Sequence, residues 1–164
     1  MPSQAFSAYR IGQGYDLHRL IPSKPLLLGG IQIDSPVGSE AHSDGDVLLH
    51  ALIDALLGAC GLGDIGDHFP PSDDRYKGIS SVALLRLVLP LITQAGFQVV
   101  NLDSTIFLEK PKLGPYKAQI RAQLAELFGL PLDCVSVKAK TAEQFPPVGT
   151  QEAIAASVTV LLKQ

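Results

Sequence analysis

Charge is scarce in this chain. Asp, Glu, Lys and Arg make up 18% of its 164 residues, against 46% hydrophobic. So thin a charged set leaves apolar or neutral surface over, which predicts an oligomer interface. Lys and Arg number 13 and Asp and Glu 16, a net charge of −3. The missing basic excess argues against a general binder of nucleic acid or of anionic membranes. Cysteine is nearly absent. Cys60 and Cys134 are too few for a disulfide framework and lack the C-x-x-C spacing of a metal knuckle, so both read as buried or idle thiols. No stretch approaches the roughly 20 apolar residues of a membrane span. The start, Met1 to Tyr9, has neither a signal-peptide core nor an Arg-rich amphipathic pattern. The chain therefore reads as intracellular, or as a mature organellar form with its leader removed. There is no internal repeat, low-complexity tract, P-loop, G-x-G-x-x-G dinucleotide turn or G-x-S-x-G elbow.

What is there suits one domain with a real core. Residues 1–8 are expected to form a disordered N-terminal extension and residues 9–164 a single catalytic domain. A first strand contains Gly12 to His18. Pro25 to Ile33 reads as a hairpin turning at Gly29-Gly30, and Ser35 to Ala41 as loop. Ser43-Asp44-Gly45-Asp46 supplies an N-cap and acidic first turn for a helix over about Val47 to Ala59. Asp64 to Lys77, rich in Gly, Pro, Asp and Ser, reads as a mobile loop. A second helix is expected over about Ser80 to Ala95, kinked or ended early by Pro90. Val99 to Leu108 reads as a strand, Pro115 to Phe128 as a helix stopped by Gly129, and Cys134 to Lys140 as a strand. In Ala153 to Leu162 the run Val158-Thr159-Val160 favours strand. This order gives an α+β fold: a mixed four-stranded sheet with helices packed on one face, of ferredoxin- or chorismate-mutase-like kind. Its open face needs cover, which again points to an oligomer.

Histidine occurs four times, and two of the four stand where a metal would want them. On a strand, Gly12, Gly14, Asp16 and His18 share one face. Two glycines, an acid and an imidazole make a poor core face but a good cavity wall, since glycine admits close approach to the backbone. His50 lies on a helix that is otherwise almost wholly apolar and so is buried. It shares a stripe with Asp46 and Asp54, and a carboxylate one turn away would fix its ring tautomer. A lone histidine on such a helix is as a rule a satisfied core residue. Combined with Asp16 and His18 it gives the donor composition of an open divalent-metal site, zinc first. Asp64, between Gly63 and Gly66, has a special backbone position and reads as functional. His68 reads as a loop surface residue. A second cluster, Lys138-Ala139-Lys140-Thr141-Ala142-Glu143, ends a strand. Lys140 and Thr141 there suit a phosphate or a base, and Glu143 suits Mg²⁺, though a solvated strand end would look the same. Glu109-Lys110-Pro111-Lys112-Leu113 ends another strand in similar fashion.

Arg10-Ile11-Gly12 through Asp16-Leu17-His18, Ala41-His42-Ser43-Asp44-Gly45-Asp46-Val47 with His50, and Leu62-Gly63-Asp64-Ile65-Gly66 together resemble the 2-C-methyl-D-erythritol 2,4-cyclodiphosphate synthases. Tyr76-Lys77-Gly78, Lys138-Ala139-Lys140-Thr141 and Glu143 extend the resemblance over nearly the whole chain from Tyr9. It implies a homotrimer with active sites between neighbouring subunits. It also implies a lyase of the non-mevalonate isoprenoid pathway. In 4-diphosphocytidyl-2-C-methyl-D-erythritol 2-phosphate, the 2-phosphate attacks the β-phosphorus, expels CMP and closes an eight-membered cyclodiphosphate. On matching positions, Asp16, His18 and His50 would hold Zn²⁺, and Glu143 a second cation, Mg²⁺ or Mn²⁺. His42 and Ser43 would meet the 2-phosphate, and Asp64 and Gly66 the methylerythritol hydroxyls. Pro111, Lys112, Leu113, Ala139, Lys140 and Thr141 would form the cytidine and diphosphate pocket, Ile65 to Arg75 a lid, and Asp46 would organise the site. Thr150 stands where members of the family often carry an arginine facing a cavity on the threefold axis. The chain is therefore expected not to hold a prenyl diphosphate there. In the lid, Pro71 replaces a common acid. The rival readings are a zinc phosphohydrolase and a non-catalytic metal-binding oligomer.

Overall fold

The alternation of the first strand decides the architecture. In a computed structural model, which describes residues 8–164, β1 (Tyr9–Pro22) turns Gly12, Gly14 and Leu20 inward and leaves Tyr9, Ile11, Gln13, Tyr15 and Leu17 exposed. The expectation for residues 1–8 lies outside the described residues save for Ala8, whose carbonyl accepts from the Gln164 N–H at 2.8 Å. Ala8 thus continues the β1 ladder.

After β1 come β2 (Leu26–Leu28) and β3 (Ile31–Ile33), a hairpin pairing Leu28 with Ile31 across Gly29-Gly30. Both glycines have positive φ, 63° and 80°, the backbone that a two-residue hairpin turn requires. β4 (Val37–Ser39) pairs antiparallel with the end of β1. It corrects the reading of Ser35 to Ala41 as loop: the long β1 runs on to Pro22 and offers an edge that three residues can pair with.

α1 (Val47–Cys60) is capped by Asp46, whose side chain accepts from the Leu49 N–H, and it is stopped by Gly61 at φ 68°. α2 (Ile65–His68) is a single turn, closed by a reciprocal capping box between Asp64 and Asp67. With the 3₁₀ turn Asp74–Tyr76 it adds two short helical turns to the loop expected over Asp64 to Lys77. α3 (Ser81–Gln94) continues past Pro90, so no early end occurs. Pro90 lies on the exposed side, where the carbonyl it deprives of a partner can turn to water.

β5 (Gln98–Phe107), α4 (Lys117–Phe128), β6 (Val135–Lys140) and β7 (Ala153–Lys163) complete the chain. The sheet order is β4-β1-β7-β5-β6, with only β5 and β6 parallel. The α+β class and the mixed sheet are as expected. There are five strands rather than four because of β4. α1 packs against β1, β7 and α3 and is buried nearly throughout, so the core lies between it and one sheet face. Cys60 and Cys134 are free and half-buried. Among the described residues no helix is long and apolar enough to cross a membrane.

Candidate metal and substrate site

Two glycines place the site. A Cβ on Gly12 would stand 1.8 Å from the Ala55 carbonyl oxygen, and one on Gly14 1.9 Å from that of Ala51. The close approach that glycine allows is therefore taken up by the backbone of α1, not by a ligand. It lays α1 directly on β1 and carries His50 over the next two inward residues of that strand. Asp16 Oδ2 then lies 2.9 Å from His18 Nε2 and 3.1 Å from His50 Nδ1. The two ring nitrogens are 3.4 Å apart.

Each imidazole is held by its other nitrogen. His18 Nδ1 lies 3.2 Å from the Gly45 carbonyl, which can only accept, so Nδ1 carries a proton and, in the neutral ring, Nε2 presents its lone pair. His50 Nε2 lies 2.9 Å from Ser43 Oγ and 3.0 Å from Ser81 Oγ. Burial pushes the Asp16 carboxyl up, but hydrogen bonds and charge from His18 and His50 outweigh it and hold the group well below the ordinary carboxylate range. Burial pushes His18 down, but Asp16 and the Gly45 carbonyl more than reverse this, leaving it raised. Three electron-rich atoms so close need a positive charge among them. Ligands of a tetrahedral zinc at about 2.0–2.1 Å stand about 3.4 Å apart, and one carboxylate with two imidazoles is a fitting donor set. The same three residues are the group of potential ligands found together among the described residues.

The triad opens into a cavity of about 610 Å³. Of the residues expected from the sequence, Asp16, His18, His42, Ser43, His50 and Gly66 line it. Asp46 does not, and its carboxylate does not fix the His50 ring. It accepts from the N–H groups of Gly29 (3.0 Å), Gly30 (2.7 Å) and Leu49 (3.0 Å), tying the β2–β3 turn to the start of α1. Asp64 has an ordinary extended φ of −127°. The unusual backbone belongs to Gly63, at φ 81°, and the Asp64 side chain caps α2. His68 is half-buried, with Nε2 2.8 Å from the Leu62 carbonyl.

Lys112, Leu113, Ala139, Lys140 and Thr141 line a second cavity of about 290 Å³. Pro111, next to Lys112 in the chain, is not among its lining residues, and Thr141 Oγ1 donates to Glu143 Oε1 at 3.0 Å. Lys140 does not meet the triad within one chain. The register aligns Leu17, Ala155, Phe107 and Lys140 in one row, so three strand spacings, about 14 Å, separate β1 from β6 there. Lys140 shares its face with exposed Leu17, the face opposite Asp16 and His18.

Two residues were not picked out from the sequence as site residues. Asp54 lines the large cavity. Burial pushes its carboxyl up, against the Ile65 N–H that it accepts at 2.8 Å. Ser81, near the start of the second expected helix, reaches His50. The i+4 spacing from His50 was a signal for Asp54; no spacing announces a contact across 31 residues.

A sequence model of the YgbB family matches residues 9–163. The 2-C-methyl-D-erythritol 2,4-cyclodiphosphate synthase of Symbiobacterium thermophilum is 51% identical over 152 residues, 93% of this chain and 97% of its own. The chloroplastic enzyme of that name from Oryza sativa subsp. japonica is 49% identical over 154 residues, 94% of this chain and 69% of its own. A solved structure of a 2C-methyl-D-erythritol-2,4-cyclodiphosphate synthase in a form with bound CDP superposes with a TM-score of 0.87 at 43% identity. It covers 94% of this chain and 100% of that one.

Proposed function

The chain belongs to the YgbB family, and from that premise we infer that it converts 4-diphosphocytidyl-2-C-methyl-D-erythritol 2-phosphate to 2-C-methyl-D-erythritol 2,4-cyclodiphosphate and CMP, as a lyase of non-mevalonate isoprenoid synthesis. One observation of this chain carries the reading. Asp16 Oδ2, His18 Nε2 and His50 Nδ1 converge within 3.4 Å beside a cavity, leaving one side open. A structural zinc site would be closed by a fourth protein ligand.

The nucleophile is already a phosphate, so no strong base is needed. A phosphate oxygen bonds to the β-phosphorus, the bond to the bridging oxygen breaks, and that oxygen leaves on CMP. Asp16, His18 and His50 would hold zinc and Glu143 magnesium or manganese, and these ions, when bound, would supply the charge neutralisation that an anionic phosphate attacking an anionic diphosphate requires. The chain itself supplies position. Exposed His42 and half-buried Ser43 at the cavity hold the 2-phosphate. Gly66 in the cavity wall and neighbouring Asp64 face the methylerythritol hydroxyls. The second cavity, with Pro111, Lys112, Leu113, Ala139, Lys140 and Thr141, takes the cytidine and diphosphate. α2 and the 3₁₀ turn that follows it close over the substrate.

Residues 9–164 act as one catalytic unit, and three copies assemble with each site shared between neighbours. The separation of the triad from Lys140 on opposite sheet faces supports this. So does the outer face of β1, where Ile11 is 73% exposed and Tyr9, Tyr15 and Leu17 are also exposed. Docking this face against neighbouring copies would bring one copy's second cavity toward another's triad. The compartment is the bacterial cytoplasm or a plastid, the latter after the chloroplastic rice relative.

Chromatography of the purified chain with this substrate tests the reading. CMP release should stop with EDTA and return with zinc and magnesium. Release of inorganic phosphate instead, or no turnover with metal bound, would overturn it.

A further inference from the structure

We propose that Ser81 and Asp44 are positioning residues that fix the tautomer of His50 and so aim its Nδ1 at the metal site. The proposal rests on the metal reading above, but its geometry is independent of turnover.

Ser81 opens α3 and is fully buried. Its hydroxyl makes a short hydrogen bond to Asp44 Oδ1 and lies 3.0 Å from His50 Nε2. Its N–H donates to Asp44 Oδ2 at 2.8 Å. The Asp44 carboxylate also receives the Asp46 N–H on Oδ1 at 3.2 Å. An ionised carboxylate can only accept, and a hydroxyl has one proton. The Ser81 proton therefore belongs to Asp44, and the oxygen of Ser81 has only lone pairs left for His50. His50 must then donate through Nε2–H. In a neutral ring this leaves the lone pair on Nδ1, the atom 3.1 Å from Asp16 Oδ2.

Ser43 also lies near Nε2, at 2.9 Å, and it takes the Gly45 N–H at 3.3 Å. Ser43 is half-buried and faces the cavity, where a ligand can recruit its hydroxyl. Ser81 is sealed off from the cavity and remains the constant partner. The device is a carboxylate–hydroxyl–imidazole relay running from the start of α3 to the metal ligand on α1. Partners of this kind orient a ligand ring and raise its basicity.

Two variants of the full chain test it. Ser81→Ala removes the hydroxyl but keeps the backbone N–H bonded to Asp44, so the start of α3 retains its partner. Asp44→Asn puts an amide among three donors, one of which must then face NH₂. Zinc affinity is read by chelator competition, folding by thermal melting, and the His50 Nε2–H by ¹⁵N-resolved NMR of the zinc-loaded protein. Each variant should weaken zinc binding about 10- to 100-fold and move the Nε2–H signal upfield. A role confined to helix capping would lower the melting temperature and leave both other readouts alone. Parental zinc affinity and an unshifted Nε2–H in both variants would overturn the proposal. Should the parent bind no zinc, the metal reading falls by itself. The relay is then read in the metal-free protein at a pH where His50 is neutral. An Nε2–H present in the parent and altered in Asp44→Asn supports it, and an unaltered one overturns it.

Discussion

Nε2 of His18 and Nδ1 of His50 face each other at 3.4 Å, so two imidazoles use different nitrogens to serve one point. The rings are edge-on, with centroids 5.0 Å apart and planes at 71°. The difference follows from what holds each ring: a backbone carbonyl on His18 Nδ1 and two hydroxyls near His50 Nε2. Removing one ligand should empty the site. His50→Ala is expected to lose bound zinc by elemental analysis and to lower CMP release more than about 100-fold, with the melting temperature of the metal-free protein showing that the fold survives.

The metal-free protein should show a stability window in pH. His18 has a folded value above its ordinary 6.5, so its contribution is full below 6.5 and is lost as pH rises through the folded value. Asp16 has a folded value below its ordinary 3.8, so its contribution is present above 3.8 and is lost as pH falls through the folded value. The pair therefore stabilises most between about pH 4 and 6.5. Thermal melts in EDTA should peak there, and zinc should hold up the alkaline side. A profile that keeps rising with pH to 9 in EDTA would contradict the pairing.

Gly14 carries the placement of α1. Gly14→Ala sets a methyl against the Ala51 carbonyl oxygen, a backbone atom that cannot move aside without the helix. A loss of about 3 kcal/mol or more is expected, measured by urea unfolding. Zinc binding should weaken along with it, because the same displacement lifts His50 from Asp16.

Asp46 acts on the fold through its three N–H partners. Asp46→Asn turns NH₂ toward a backbone donor at a fully buried position. About 2–3 kcal/mol of stability should be lost. Calorimetry checks this, and a far smaller loss would mean the hairpin turn and α1 are held together by packing alone.

In the proposed trimer the outer face of β1 carries the assembly. Ile11→Asp places a charge on the most exposed of its aliphatic residues, and light scattering should find monomers in place of trimers. CMP release should be lost while the monomer still binds zinc through Asp16, His18 and His50. A trimer that survives the charge would place the interface elsewhere.

Much of this was legible in the chain. The period-two run to His18 and the apolar stretch after Asp46 announced β1 and α1: β1 carries Asp16 and His18 on the face that begins with two glycines, and α1 carries His50 among aliphatic residues. The short β4 was hidden because three residues, Val37–Ser39, pair with an edge created by the length of β1, a non-local cause. Asp64 to Lys77 looked like loop because Gly, Pro, Asp and Ser are frequent in it, but the Asp64–Asp67 capping box closes a turn in four residues. Asp46 was legible as part of a stripe with His50, yet helical spacing says nothing of the hairpin turn whose N–H groups claim it. Ser81 could not be placed at all: α3 must fold back on α1 before its first residue meets His50.

The central claim is that a phosphate within the substrate, not water, attacks the β-phosphorus. Mass spectrometry of products made in H₂¹⁸O reads this directly. Cyclisation predicts a cyclodiphosphate and a CMP that both carry no ¹⁸O. A linear methylerythritol 2,4-bisphosphate, or free phosphate, carrying one ¹⁸O would show that water had taken the site and would contradict the account.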